Sequence, residues 1–392
     1  MSSDFMPVRD RTAIVGIGST EYAKNIGRTE QQTCIEAVHK AAADAGLSTR
    51  DIDGIFRVDM DPNIEPDLAR ALGIRNLRAW ASYWGGGGAA CAPVIGAALA
   101  VASGMANVAV AIRSRNRGSG GRPWARQGAA LRIPGPGAFE FPYGVFSPVC
   151  WIALAARTYM HRHGATPATF ARVAVAQRAN AVYNPNAVYR TPITVEDVLA
   201  SRMIADPLHL LDCCPEMDGA QAVIVTSRER ARDLRQPPAL LAGLAQGTNG
   251  RAALNMSGVY PSDPLDYAAP QAAADIYRMA GIGPRDIDCA MLYDMFSPVV
   301  LFGLETWGFC KRGEAGAFVE SGGIDWNGAL PVNTHGGSLS ETYLHGFNHI
   351  LEGVRQVRGT STRQLSRTVN NVLVTAAPIA PTSAIILRRD AR

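Results

Sequence analysis

The chain has 392 residues, of which 47% are hydrophobic and 18% charged, with a formal net charge of +4. That hydrophobic fraction supports a sizeable core and excludes a disordered chain, while so small a charge excess gives no footprint for nucleic acid. The seven cysteines, with only Cys213 and Cys214 adjacent, form no CxxC pair and no even disulfide framework, which fits a reducing cytoplasm.

The N-terminal "MSSDFMPVRDRTAIVGIG" places charged residues before a short apolar run and lacks the apolar region of a signal peptide. Residues 41–53 read "AAADAGLSTRDID", and residues 276–288 repeat the pattern as "IYRMAGIGPRDID". In each copy an Ala-Gly pair (Gly46, Gly281) is expected to end a helix, and Arg-Asp-Ile-Asp leads into an apolar run with strand character. A glycine-rich turn and a helix follow each copy: "YWGGGGAACAPVIGAALAVASG" from Tyr83, and "HGGSLSETYLHGFNHILEGVRQVRG" from His335. After each helix stands a second strand-like run, from Asn107 and from Asn370. The order matches as well as the motif, which is the signature of a duplicated α/β unit.

The apolar stretch from Cys91 to Ile112 is interrupted by Pro93, Gly96, Gly104 and Asn107. It reads as a buried helix and a strand, not a membrane span. Its small side chains suit a helix that sheets approach closely. Next, Arg113 to Ser147 is rich in Gly, Pro and Arg (Arg113, Arg115, Arg117, Arg122, Arg126) and reads as a functional loop, its arginines open to either solvent or a phosphate. The aromatics of "FEFPYGVFSPVCW" (Phe139 to Trp151) either line an apolar wall or pack internally. "DGAQAVIVTSRERARD" gives a strand from Ala220 to Thr226 and a helix opening near Ser227, closing a first half at residues 1–235 that contains a loop region at about 113–205. Residues 236–392 form the second half.

The densest cluster is "THGGSLSETYLHGFNHI", Thr334 to Ile350. Glu341, His345 and His349 are spaced to share one helical face, a credible ligand set for a metal, but Gly336, Gly337 and Gly346 place the helix start only near Gly346. His345 then belongs to the turn, Glu341 leaves the face, and no metal is expected.

The duplicated unit, "DGAQAVIV" at mid-chain, "LYDMFS" after the second Arg-Asp-Ile-Asp and the Gly-Gly turn into a late helix together resemble the thiolase superfamily over nearly the whole chain. That resemblance implies a thiolase fold: an α/β protein of two duplicated halves in an α-β-α-β-α arrangement. It also implies a homodimer acting on acyl-CoA thioesters. The departures are informative. The family's nucleophilic cysteine is expected at the N-terminus of the first central helix, which here falls on Gly85 to Gly88, before Cys91. The family's catalytic histidine matches Tyr343, its oxyanion residue matches Tyr293, and "LVTAAPIAP" from Leu373 lacks the second cysteine. With "GGSLSETYLHGFNH", this pattern is similar to thiolase-like steroid side-chain aldolases, which work with a small OB-fold/zinc-ribbon partner in a heterotetramer.

Claisen cleavage needs a nucleophile to hold the acyl group, whereas retro-aldol cleavage needs only a base for the β-hydroxyl, donors for the thioester enolate and an acid for its α-carbon. Tyr343 is expected as the main proton-transfer residue, with Tyr293 at the hydroxyl or enolate oxygen. The two roles are interchangeable at this level, and Tyr293 reads equally as a core-facing strand residue. His345 and Asp294 are expected as supporting polar groups. Gly87, Gly88, Gly336 and Gly337 would let backbone N–H groups approach the thioester, and Arg113 and Arg115 would meet CoA phosphates. CoA enters only as part of the substrate. The alternatives are an acyltransferase using Cys91 and a non-catalytic scaffold.

Overall fold

The computed structural model describes residues 8–121, 140–248, 270–378 and 381–391. The main strands are β1 (Thr12–Ser19), β2 (Gly54–Val58), β3 (Ala79–Tyr83), β4 (Val108–Asn116), β5 (Asp218–Ser227), β6 (Ala239–Gly247), β7 (Cys289–Met291), β8 (Asn371–Thr375) and β9 (Thr382–Arg389). They form one sheet in the order β3-β2-β4-β5-β1-β6-β9-β8-β7. The sheet is two half-sheets of mirrored order. In the first, β2 runs parallel to β3 and β4, and β5 lies antiparallel between β4 and β1. In the second, β9 lies antiparallel between β6 and β8, β8 runs parallel to β7, and the counterpart of β3 shrinks to a single parallel bridge from Ala290 to Val332. The seam is two residue pairs of β1 and β6, Ala13 with Leu240 and Ile14 with Ala239.

The principal helices are α1 (Glu30–Ala45), α2 (Glu65–Leu72), α3 (Ala92–Ala102), α4 (Pro148–His163), α5 (Pro167–Ala181), α6 (Pro270–Ala280), α7 (Ser297–Thr306) and α8 (Phe347–Arg358). Three apolar cores set the layering. Alternate residues of β4 point to opposite sides: Val108, Val110 and Ile112 pack with α1 and α2, while Ala109 and Ala111 join α3, α8 and the inner faces of both half-sheets. The third core packs Leu373 and Ile386 of the second half-sheet against α4, α5, α6 and α7. The result is the α-β-α-β-α sandwich.

The repeated motif folds as its residues dictate. Gly46 and Gly281 take left-handed φ of 77° and 68°, and Ser48 with Asp51 closes a capping box on the turn before β2. The small residues of α3 are required: a Cβ on Gly96 would lie 1.9 Å from the Tyr83 hydroxyl. The second glycine turn gives one helical turn, Gly337–Ser340, and then a break. α8 starts only after Gly346, and His345 sits in the turn before it.

One boundary differs from expectation. β4 continues to Asn116, so Arg113 and Arg115 are strand residues and not loop residues. The polar end of β4 pairs with β5 just as its apolar start does, so the arginines follow the strand into the protein. Arg122, Arg126 and Phe139 lie outside the described residues. No helix among the described residues is long and apolar enough to cross a membrane.

Candidate active site

Tyr293 follows β7, and its backbone N–H donates to Thr375 Oγ1 at 3.2 Å, which ties it to the end of β8. Tyr343 lies between the single helical turn and α8, and its backbone bridges to Glu216. Fifty residues apart in sequence, the two hydroxyls share a 2.9 Å hydrogen bond, with the rings edge-on at 74°. Tyr293 is buried, at 1% exposure, whereas Tyr343 is half-buried and lines a cleft. The cleft has a volume of ≈ 120 Å³, and Pro148, Val149, Ile204, Leu210, Met295 and Phe296 give it apolar walls. Pro148 and Val149 belong to the end of the aromatic stretch and to α4, but the aromatic side chains of that stretch are not among the lining residues.

Both phenols hold their protons tightly. Burial pushes Tyr343 above the usual tyrosine range, with the neighbouring Cys214 thiol adding to the effect and the bond from Tyr293 opposing it. Burial also pushes Tyr293 well up, and Tyr343 reinforces it. The site therefore presents two neutral phenols, each able to donate and accept.

The supporting groups are organised by Asp294. Its buried carboxylate accepts the backbone N–H groups of Ser338 (2.8 Å) and Leu339 (3.1 Å), capping the helical turn that leads to Tyr343, and also accepts His349 Nε2–H at 2.9 Å. His345 has a left-handed φ of 53° and stands edge-on to Tyr343 with ring centroids 5.2 Å apart. Its Nδ1 accepts a 2.5 Å hydrogen bond from Arg113 Nη2. Burial and the positive charge of Arg113, Arg117 and Arg115 hold its pKa well below the usual histidine range, so the ring is neutral.

The glycines make room for protein atoms. A Cβ on Gly87 would lie 2.0 Å from the Tyr293 hydroxyl oxygen, one on Gly88 would lie 1.8 Å from the Pro381 carbonyl, one on Gly336 would lie 2.6 Å from Ala181 Cβ, and one on Gly337 would lie 2.1 Å from Asp294 Oδ2. The expected contact with CoA phosphates does not hold for Arg113. Arg113 is wholly buried against His345, and Arg115 donates to the Met60 carbonyl. Cys91 is buried in the central core with its sulfur 3.7 Å from the Val374 carbonyl, and burial raises its thiol pKa, so it faces no substrate. Glu341, His345 and His349 do not converge: they bond Asn184, Arg113 and Asp294 respectively, and no metal-holding group of three ligands occurs among the described residues.

Three features of the site escaped sequence reasoning. His349 appeared only as a metal ligand, yet it bonds Asp294; its spacing from Gly346, one turn into α8, was the available signal. Cys213 and Cys214 line the cleft beside Tyr343. Arg113 is the buried partner of His345.

Residues 250–389 match the family model described as thiolase C-terminal domain-like. With the mirrored half-sheets and paired tyrosines, this places the protein in the thiolase superfamily, in a branch without the nucleophilic cysteine. The chain is 47% identical over 386 residues to the steroid side-chain-cleaving aldolase of Thermomonospora curvata, covering 96% of this chain and 98% of that protein. It is 46% identical over 385 residues to the 17-hydroxy-3-oxo-4-pregnene-20-carboxyl-CoA lyase of Mycobacterium tuberculosis, covering 96% and 99%. The solved Ltp2-ChsH2(DUF35) aldolase superposes with a TM-score of 0.90 and 46% identity over 98% of this chain and 99% of that one. The chain belongs to the thiolase-like side-chain aldolases, and it is a lyase acting on CoA thioesters.

Proposed function

We propose that the protein cleaves the side chain of a 17-hydroxysteroid 20-carboxyl-CoA by retro-aldol reaction, releasing a 17-ketosteroid and propionyl-CoA. The observation that carries this reading is the 2.9 Å Tyr293–Tyr343 pair, with Tyr343 facing an apolar cleft. The cleft walls suit an apolar ring system. Gly87, which meets the Tyr293 hydroxyl, lies in the turn where the fold's nucleophile would reach a thioester carbon, so Tyr293 stands where the thioester would lie.

The pair works as a shuttle. As Tyr343 Oη accepts the proton of the substrate hydroxyl, its own proton moves to Tyr293 Oη, and the Tyr293 proton passes to the enolate. The electrons of the breaking carbon–carbon bond form that enolate, and the carbinol carbon becomes the ketone. Two phenols with raised pKa values suit this arrangement, because no free phenolate has to persist. CoA takes part only as the substrate's thioester, and no further cofactor is required.

The active assembly in this reading is a homodimer carrying a small OB-fold/zinc-ribbon partner, as the DUF35 portion of the aldolase neighbour suggests. Edge strand β3 supports the dimer. It has only β2 beside it, and Trp80 (62% exposed), Leu99 and Met105 border an apolar groove on that edge. No disulfide joins the cysteines among the described residues, which supports a reducing cytoplasm.

Mass spectrometry of products, with the steroid thioester and no free CoA, tests the reading. A 17-ketosteroid with propionyl-CoA is expected, and Tyr343→Phe should lower kcat by about 10²–10⁴-fold. Cleavage only of a β-ketoacyl-CoA, and only after CoA is added, would overturn it.

A further inference from the structure

Arg113 is the largest buried cation beside the site, and nothing in the aldol chemistry above uses it. It lies on β4 at 0% exposure, and its single hydrogen-bond acceptor is His345 Nδ1 at 2.5 Å. The Nε and Nη1 groups are buried without acceptors. The nearby acid, Asp61, is already taken up by neutral donors: Asn63 N, Asn63 Nδ2 and Ser114 N at 3.0, 2.6 and 2.8 Å. No carboxylate among the described residues forms an ion pair with the guanidinium. A buried charge without a direct ion pair costs folding free energy, which the nearby Asp61 offsets only in part. Burial correspondingly lowers the pKa of Arg113 to about 10.

The geometry gives that cost a use. A guanidinium can only donate, so the bond fixes His345 Nδ1 as an acceptor and leaves the ring proton on Nε2. The left-handed backbone at His345 and Gly346 sets that imidazole edge-on to Tyr343, 5.2 Å between centroids. Arg113, His345 and Tyr343 thus form a line from the buried strand end to the cleft wall.

We infer that Arg113 is a positioning residue for the aldol cleavage: it holds His345 as an Nε2–H imidazole beside Tyr343 and supplies positive potential there while the Tyr343 oxygen exchanges protons. The inference rests on the proton-transfer reading of Tyr343. A preorganised cation behind the reacting group lowers the barrier without contacting substrate, so its removal reads in kcat and not in KM.

The test measures kcat and KM for the protein as isolated, with a 17-hydroxysteroid 20-carboxyl-CoA as probe. Arg113→Met is expected to lower kcat on the order of 10²-fold with KM changed less than about twofold, and Arg113→Lys to recover part of the loss. Wild-type kcat in Arg113→Met, or an effect confined to KM, overturns the inference. Tyr343→Phe in the same assay separates the two claims: its inactivity beside an active Arg113→Met sinks only the role of Arg113, whereas its full activity sinks the tyrosine reading itself. If Arg113→Met does not fold, His345→Asn decides. Asparagine tolerates the left-handed backbone and can accept from Arg113, but lacks the Nε2–H. A fall in kcat at constant KM supports the inference, and wild-type kcat overturns it.

Discussion

Gly87 and Tyr293 occupy each other's space: a Cβ at position 87 would stand 2.0 Å from the Tyr293 hydroxyl oxygen and 2.6 Å from Cζ. The bare turn at position 87 and the tyrosine at position 293 depend on each other. Gly87→Ala should therefore cost about 1–3 kcal/mol by overpacking and abolish turnover. In a Tyr293→Leu background the same substitution should cost at least about 1 kcal/mol less, read by denaturant unfolding as a double-mutant cycle. Additive costs would refute the coupling.

Glu341 should make stability depend on pH. Its Oε1 accepts from Asn184 at 2.9 Å, its buried Oε2 has no hydrogen bond and stands 3.6 Å from His335 Nε2, and burial raises its pKa from the usual 4.5 to about 7. Between these values the folded carboxyl keeps a proton that the unfolded chain has lost, so stability falls as pH rises through that window and levels off above it. Glu341→Gln removes the titration. It should match the wild type near pH 4 and exceed it by up to about 3 kcal/mol at pH 8. Equal differences at both pH values, in denaturant melts, would count against the assignment.

Cys91 should be dispensable for chemistry. Cys91→Ala is expected to keep kcat within about twofold, with a stability cost of about 1 kcal/mol for the lost sulfur packing. Iodoacetamide applied to the native protein should label the cleft cysteines Cys213 and Cys214 before Cys91, as peptide mapping would read. Loss of activity in Cys91→Ala would restore the acyltransferase alternative.

Trp80 should control assembly. A lysine there places a charge in the middle of the apolar edge of β3, so Trp80→Lys should convert a dimer to a monomer in sedimentation velocity while leaving the far-UV spectrum intact. An unchanged sedimentation coefficient would place the interface elsewhere.

What the sequence disclosed and what it hid follow from how far apart the interacting groups lie. The duplicated halves were legible because Gly46, Gly281 and the Arg-Asp-Ile-Asp turns act within a few residues of themselves. Tyr293 and Tyr343 were legible only through family position, since no local pattern announces that hydroxyls fifty residues apart will meet. Arg113 was misplaced because a strand end buried by its neighbours carries the same polar residues as a loop. The roles of Asp294 and His349 depend on a helical turn breaking at Glu341 and resuming at Phe347. The glycines forecast that break, but not which side chains it would bring together.

The strand order also governs when the protein can fold during synthesis. β1 is made first, yet it lies between β5 and β6, so its partners do not exist until residues 218–247 have been translated. β9, at 382–389, fits between β6 and β8, and β6 is without its second neighbour until that stretch emerges. The second half-sheet therefore keeps an open slot until residues 382–389 are made, and β9 closes the slot and completes the wall behind α8. Loss of that strand would leave two long apolar edges exposed, so a chain cut short there should aggregate instead of folding as a half-sized enzyme.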